Sequence, residues 1–301
     1  MRATGIEVKA PGDDAAPAIA ALLEEHALEA FGEPELSVEE IRSWFTRPKL
    51  SIRVAERDGA IAGYMDLVAE DSGRFPVDLR TLDPEAANLL LREAERIGCS
   101  EAGQSLRAFV QGDDPVLRPV LEAAGWRPIR HSFQMRIELD DDLPEPVWPE
   151  GLSPRNVRPG EEERVYEASM DAFADHWEFH RTSFEDWLGY NVSDHSFEPS
   201  LWWLVDDGDE LAGISLNSWH FSGDPQFGWI GTLGVRPAWR RRGLATALLR
   251  HSFRDFRARG ATRVGLGVDG EKTTGAVRLY ESVGMRVARR NDTYEKVLRD
   301  T

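Results

Sequence analysis

The chain contains a single cysteine, Cys99, among its 301 residues. One cysteine excludes an internal disulfide and every multi-cysteine metal site. Its surroundings, RIGCSEAG, hold no histidine to activate a thiolate, so it reads as structural. Histidine is sparse as well, with seven residues. Only His176 and His180 are four apart, which suits a partly exposed helix face as well as a ligand pair, and no metal is expected. Nowhere do about 18 apolar residues run together, and MRATGIEVKAPGDD has no apolar stretch behind its basic residue. Neither a membrane span nor a signal peptide is read, and the expected location is cytoplasmic. Positive charge is also short: 36 Lys and Arg stand against 53 Asp and Glu, a net charge of −17. That balance argues against nucleic acid and anionic membranes as partners, because phosphate is repelled over most of such a surface.

The length and a 41% hydrophobic content suffice for two globular cores. The segment from Leu139 to Glu163 carries five prolines and many acids without apolar periodicity, and reads as a linker leading into a strand near GLSPRNVRP. On either side the two halves repeat one another weakly. SVEEIRSWF (Ser37 to Phe45) matches SFEDWLGYN (Ser183 to Asn191), IRVAERDGAIAGY (from Ile52) matches WWLVDDGDELAGI (from Trp202), and LEAAGWRP (from Leu121) matches YESVGMRV (from Tyr280). The order is preserved, which predicts one fold used twice, over 1–142 and 143–301. Each half reads as α/β with a mixed central sheet flanked by helices. In the second, helices are expected near Val165–Phe173 and up to Tyr190, then a hairpin from Trp202 to Leu216 and a strand over FGWIGTLGV. A helix with inward Ala245, Leu248, Leu249, Ser252 and Phe256 follows, then a strand over RVGLGVD, a short helix stopped by Gly284, and NDTYEKVL closing that sheet.

Within this acidic chain, Val235 to Arg263 holds nine arginines and one aspartate, a local charge of +8. The core of it, VRPAWRRRGLATALL, places an arginine-rich turn with one glycine between a strand and a helix that opens on small residues. Unpartnered N–H groups at a helix start, the helix dipole and a glycine that lets the backbone come close together suit a phosphate.

That turn, followed some 35 residues later by TGAVRLYESVGM, resembles the acetyl-CoA signature of the GNAT superfamily of N-acetyltransferases. The resemblance is close in the second half and only in outline in the first. It implies that Leu233, Gly234 and Val235 meet the pantetheine arm, and that Arg240, Arg241, Arg242, Gly243, Leu244, Ala245 and Thr246 cradle the pyrophosphate. Lys272 and Thr274 stand where many members have an asparagine near pantetheine. Tyr280 corresponds to the tyrosine that protonates the leaving thiolate, a role that an ordinary phenol with a pKa of about 10 can fill. Core packing is the alternative, since Ala276, Tyr280 and Val283 share a helix face. Many members also carry a glutamate base on the strand ahead of the turn. GWIGTLGV offers none, so the base is sought at His220, Asp175, His176 or Glu178.

Gly63 to Gly125 spans nine residues fewer than Gly213 to Gly284, and the deficit falls where the phosphate turn belongs. The first half has DLRTLDPEAANLLL there, and Leu121 at the position of Tyr280. It therefore resembles a degenerate GNAT domain, and the tandem arrangement resembles mycothiol synthase, in which the amine acetylated belongs to a cysteine–sugar conjugate. The resemblance implies an acetyl-CoA-dependent N-acetyltransferase in which a primary amine of a small molecule or peptide attacks directly in a ternary complex. The alternative is an acyl-CoA-sensing module whose N-terminal half binds a partner.

Overall fold

The computed structural model describes residues 5–32, 36–112, 114–176, 179–192, 197–270 and 275–298. The chain divides into two compact units, Met1–Ser132 with Arg289–Thr301, and Phe133–Ala288.

The first unit opens with β1 (Ile6–Lys9), α1 (Ala16–Phe31) and α2 (Val38–Trp44). The hairpin of β2 (Leu50–Arg57) and β3 (Ala60–Val68) follows, then β4 (Arg74–Arg80), α3 (Pro84–Ser100), β5 (Ser105–Gln111) and α4 (Leu117–Ala123). β6 (Arg127–Glu138) begins in this unit and ends in the second. β1 to β4 pair antiparallel in sequence order, and β4 runs parallel to β5. One core lies under α3, whose inward residues Ala87, Leu90, Leu91 and Ala94 recur at helical spacing against Met65, Val77 and Leu106. The other lies under α1 and α2, where Ile19, Leu23 and Ile41 meet Val54 and Tyr64.

The second unit contains β7 (Pro154–Asn156), α5 (Glu162–Phe173), α6 (Phe184–Asn191), β8 (Trp202–Asp207), β9 (Glu210–Trp219) and β10 (Phe227–Val235). α7 (Leu244–Ala258), β11 (Arg263–Asp269) and α8 (Ala276–Ser282) complete it, and β12 (Arg286–Val297) leaves it. β7 to β10 are antiparallel neighbours, and β10 is parallel to β11. The mixed strand pairing and the flanking helices match the expected α/β class.

One strand assignment needs correction. NDTYEKVL does not close the second sheet: Asn291–Val297 pair antiparallel with Gln111–Ser105, inside the first unit. Tyr294 is fully buried in the first unit's core, and Glu295 takes hydrogen bonds from Ser105 and Arg107. The closing strand of the first half, β6, conversely lies beside β11. Repetition in sequence supplies each half with a last strand, but the edge it joins is decided by packing, which the repeat does not encode. We keep 1–142 and 143–301 as a proposal for the two copies of the repeat. Cys99, read as structural, is exposed on α3.

Asp66 on β3 stands directly across the ladder from Asp78 on β4. The Tyr64 hydroxyl donates to Asp66 at 2.7 Å, and Arg80 donates to Asp78 at 2.7 Å. Burial, then the facing Asp78 charge, pushes Asp66 up to about 7. A carboxyl raised in the fold holds a proton that the unfolded chain releases near pH 4, so stability falls as pH rises from about 4 to 7, by up to about 4 kcal/mol. Asp66→Asn should flatten that fall and leave the variant more stable than the parent at pH 8, as measured by denaturant unfolding across this range. A parental profile no steeper than the variant's would contradict the raised Asp66 carboxyl.

Candidate active site

β10 is hydrogen-bonded on both sides only in its first half. Parallel pairing to β11 covers Phe227–Ile230 opposite Arg263–Leu266, although β11 continues to Asp269. Pairing to β9 continues to Val235 opposite Gly213, with a bulge between Ile230 and Thr232. The two strands therefore part at Gly231, and the β11-facing backbone edge from there to Val235 has no strand partner among the described residues. Such an edge can pair with an extended, amide-bearing ligand, since peptide groups seek hydrogen bonds. Leu233, Gly234 and Val235 lie along it. Gly234 suits its place because a Cβ there would stand 2.9 Å from Ala172 of α5.

The arginine-rich turn begins where β10 ends. Pro237–Trp239 form a single helical turn, and Trp239 donates to Asp207 at 2.8 Å. Arg241 and Gly243 both adopt left-handed conformations, with φ of 60° and 86°. At Gly243 that conformation starts α7 without a side-chain cap, and an added Cβ would point into open space. The amides of Leu244, Ala245 and Thr246 have no acceptor within the helix, while Ala247 already donates to Gly243. Arg241 and Arg242 are exposed and have no ion-pair partner among the described residues. The turn thus offers three amides, the dipole of a 15-residue helix and two free guanidinium groups in one place.

Arg240 differs from its neighbours. Its guanidinium donates twice to Asp175, at 2.6 and 3.0 Å, and also to the carbonyls of Val235 and Ala172. Arg236 is held in the same way by Asp171, at 2.9 Å, and lies over the Trp239 ring. Two acids four apart at the end of α5 thereby grip two arginines four apart around the turn. The matching spacings, Asp171 with Asp175 and Arg236 with Arg240, were the sequence signal for this clasp, whereas the sequence alone puts Asp175 among the candidate bases. The Arg240 side chain fixes the turn, and its own amide is taken by the Pro237 carbonyl at 3.3 Å. The Arg240 hydrogen bonds hold Asp175 below the usual carboxylate range, which makes it a poor base.

Tyr280 is 9% exposed on α8, packed in the apolar cluster of Ile230, Leu249, Phe253 and Leu266, with Leu233 against it. The ring therefore sits in the cluster that contains the residues at the strand separation. No hydrogen bond to its hydroxyl is found among the described residues. Burial pushes its pKa up to about 12, which corrects the expectation of an ordinary phenol.

His220 is 4% exposed just after the end of β9, its ring stacked on Phe227 with centroids 4.1 Å apart and close to Phe221 at 4.0 Å. Its Nδ1 accepts from the Ser222 amide at 3.2 Å. Four residues separate Phe227 from Gly231, about 13 Å of strand, so the structure places His220 among aromatic rings and away from the opening. His176 is exposed, with its ring against Phe173. Glu178, Lys272 and Thr274 lie outside the described residues. Sequence reasoning did not anticipate the fully buried polar set of Ser215 and Asn217 on β9 with Ser252 on α7, mutually bonded at 2.9–3.1 Å. It pins α7 to the sheet, and small polar residues two apart on a strand were its only trace. Among the described residues no group of three or more His, Cys, Asp or Glu could hold a metal.

Gly243→Val places a β-branched residue at positive φ, a strain of about 1–2 kcal/mol. Its side chain would also stand in front of the free amides. Acetyl-CoA binding, measured by calorimetry, should weaken about tenfold or more, with only a modest fall in unfolding midpoint. Unchanged binding would remove the turn from the site.

The acetyltransferase (GNAT) family matches residues 162–285, all in the second unit. A mycothiol acetyltransferase of Thermobispora bispora is 34% identical over 186 residues, 60% of this chain and 62% of that one, so the match spans less than two thirds of that relative. The mycothiol acetyltransferase of Salinispora arenicola is 33% identical over 240 residues, 78% of this chain and 77% of its own. A solved GCN5-related N-acetyltransferase from Sphaerobacter thermophilus superposes with a TM-score of 0.80 at 30% identity, covering 99% of this chain and 98% of that one. Together with a strand pair that parts ahead of an arginine-rich turn with free helix amides, these likenesses establish that the chain belongs to the GNAT family of acetyltransferases.

Proposed function

We propose that the protein is an acetyl-CoA-dependent N-acetyltransferase that binds one CoA, in its second unit, and acetylates a primary amine by direct attack in a ternary complex. The observation that carries the reading is the parting of β10 from β11 at Gly231, with the phosphate-type turn at one end of the opening and the Tyr280 cluster at the other. Leu233 to Val235 would pair with the pantetheine amides. The amides of Leu244 to Thr246, with Arg241 and Arg242, would hold the pyrophosphate, and Lys272 and Thr274 are proposed contacts beyond it. The first unit is proposed to bind no CoA, because the start of α3 is filled by the chain itself. Asp83 accepts from the amides of Glu85 and Ala86, Pro84 has no donor, and Arg57 pairs with both Asp83 and Glu85.

Bound acetyl-CoA supplies a thioester whose carbonyl carbon the amine attacks, after which the carbon–sulfur bond breaks. A phenol held near 12 stays protonated at every physiological pH, so Tyr280 is always present as a donor to the departing sulfur. A thiol loses its proton at about 8.5, well below this phenol. Tyr280 therefore acts by stabilising charge on the sulfur through a hydrogen bond, and the proton released by the attacking amine ends on the thiol. The amine must lose its proton before attack. With Asp175 clasped by Arg240 and His220 buried among aromatic rings away from the opening, the remaining candidates for that task are Glu178 and His176, with water as the relay.

The amine is proposed to belong to a small molecule or peptide. A cysteine–sugar conjugate of the mycothiol type is the first to test, because curated relatives carry that name. Nucleic acid and membrane are not proposed as partners. Among the described residues no helix is long and apolar enough to cross a membrane, and a cytoplasmic location is retained as a proposal.

The test is thiol release from acetyl-CoA over a panel of amines, with calorimetry for stoichiometry. One CoA per chain and amine-dependent thiol release are expected. CoA binding without release for any amine would favour the sensing module. Tyr280→Phe keeps the ring and its packing, so CoA affinity should hold while kcat falls about a hundredfold, the lower end for losing one hydrogen-bond donor to developing charge. An unchanged rate of the chemical step, measured before steady state, would show that Tyr280 serves packing alone.

A further inference from the structure

Among the nine arginines from Val235 to Arg263, acids within the second unit engage Arg236, Arg240, Arg254, Arg257, Arg259 and Arg263. Arg241 and Arg242 are free at the turn. The ninth, Arg250, faces the same way along α7 as Arg254 and Arg257, which strap down the acidic segment after β6. Arg254 binds the Leu143 carbonyl and Glu145, and Arg257 binds Asp141. Arg250 has no hydrogen bond or ion pair among the described residues, and its Nε is shut off from solvent. A buried donor without an acceptor is costly, by about 1–3 kcal/mol and more for a charged group. A native structure rarely leaves one without cause.

Arg250 lines a cavity of about 320 Å³. Its apolar wall is made by Ile137, Leu143, Phe253 and Val283, all part of or packed on the cluster that buries Tyr280. Glu138, Asp140 and Asp142 also line it, all three exposed, and form its acidic rim. None of the turn residues from Leu233 to Thr246 lines it, so it is separate from the proposed cofactor site. The chemistry of the wall specifies its occupant in three parts. The guanidinium calls for a carboxylate, the most favourable planar partner for its fork. The apolar wall calls for an aliphatic body. The acidic rim repels a plain anion and favours one that carries its own ammonium. The volume lies at the low end of ligand pockets, about 300–1,000 Å³, which suits a molecule the size of one amino acid.

We propose that this cavity is a binding site for a free aliphatic amino acid, its carboxylate paired with Arg250, its side chain on Phe253, Ile137 and Val283, and its ammonium toward Glu138 and Asp142.

The test is calorimetric titration of the full chain with L-leucine, with saturating acetyl-CoA present and absent. Three arms accompany it: 4-methylpentanoate, which lacks the ammonium, isoamylamine, which lacks the carboxylate, and the variants Arg250→Gln and Arg250→Lys. L-leucine should bind once per chain, with a dissociation constant on the order of 1 mM or tighter, and acetyl-CoA should not displace it. Isoamylamine should not bind, and 4-methylpentanoate should bind more weakly than leucine. Arg250→Gln should lose affinity about tenfold or more, and Arg250→Lys should recover part of it, with both variants unfolding at the parental midpoint. No binding of L-leucine would overturn the proposal. Isoamylamine binding as well as leucine, or Arg250→Gln binding unchanged, would remove the carboxylate pairing, and 4-methylpentanoate equalling leucine would remove the role of the acidic rim. Leucine bound at the acceptor position instead would ignore Arg250, so the variants separate the two sites.

Discussion

β10 and β11 run hydrogen-bonded through Ile230 and Leu266 and then part, and the chemistry of the second unit depends on that separation. A sheet that stayed paired to Val235 would have consumed the amides and carbonyls it leaves open. The opening has to be held against the tendency of peptide groups to find partners. The bulge after Ile230 turns the strand, and β9 keeps its other edge paired to the end. α5 presses on Gly234, and the Asp171–Arg236 and Asp175–Arg240 bridges lock α5 to the turn. These bridges are part-exposed, so each contributes little to global stability. Their effect is geometric: they fix where the turn stands relative to the strand that feeds it.

The first unit makes the same opening and fills it differently. Its parallel pair stops at Val77 opposite Ala108, although both strands continue. Where the second unit leaves three helix amides free, the first supplies Asp83 as its own anion and Pro84 in place of a donor. Arg57, which elsewhere could have met a ligand, is spent on Asp83 and Glu85. The fold survives because its cores depend on the apolar period of α3 and the sheet, whereas the free amides at the start of α7 depend on a few residues in one turn.

The same division governs what could be read from the sequence. The helices, the hairpins and the turn were legible because each is set by local pattern: α7 by its inward Leu248, Leu249 and Phe256, the turn by glycine among arginines. Tyr280 was legible as a position, but its raised pKa was not, since that depends on how completely Leu249, Phe253 and Leu266 close around it. His220 looked available because it follows a strand directly. Its burial between Phe221 and Phe227 depends on which way the next hairpin folds back. The exchange of closing strands was invisible for a related reason, because Tyr294 fits an apolar edge in either sheet by composition and only one edge offers Arg107 to Glu295.

The local charge of +8 is where sequence and structure diverge most instructively. Summed along the chain it suggested one anion site, because a linear count cannot tell which acids fold back onto which arginines. In three dimensions the patch dissolves into separate tasks. Asp171 and Asp175 take Arg236 and Arg240 for the clasp. Asp141 and Glu145 take Arg257 and Arg254 for the strap, and Asp255 and Asp224 take Arg259 and Arg263. What remains after pairing is a small residue of unspent charge, Arg241 and Arg242 on the surface and Arg250 against a cavity. An acidic protein can therefore present strong local attraction for anions at two points while its long-range field repels them. The selectivity of such points rests on close contact, where short hydrogen bonds to guanidinium outweigh a field that solvent salt screens within about 10 Å.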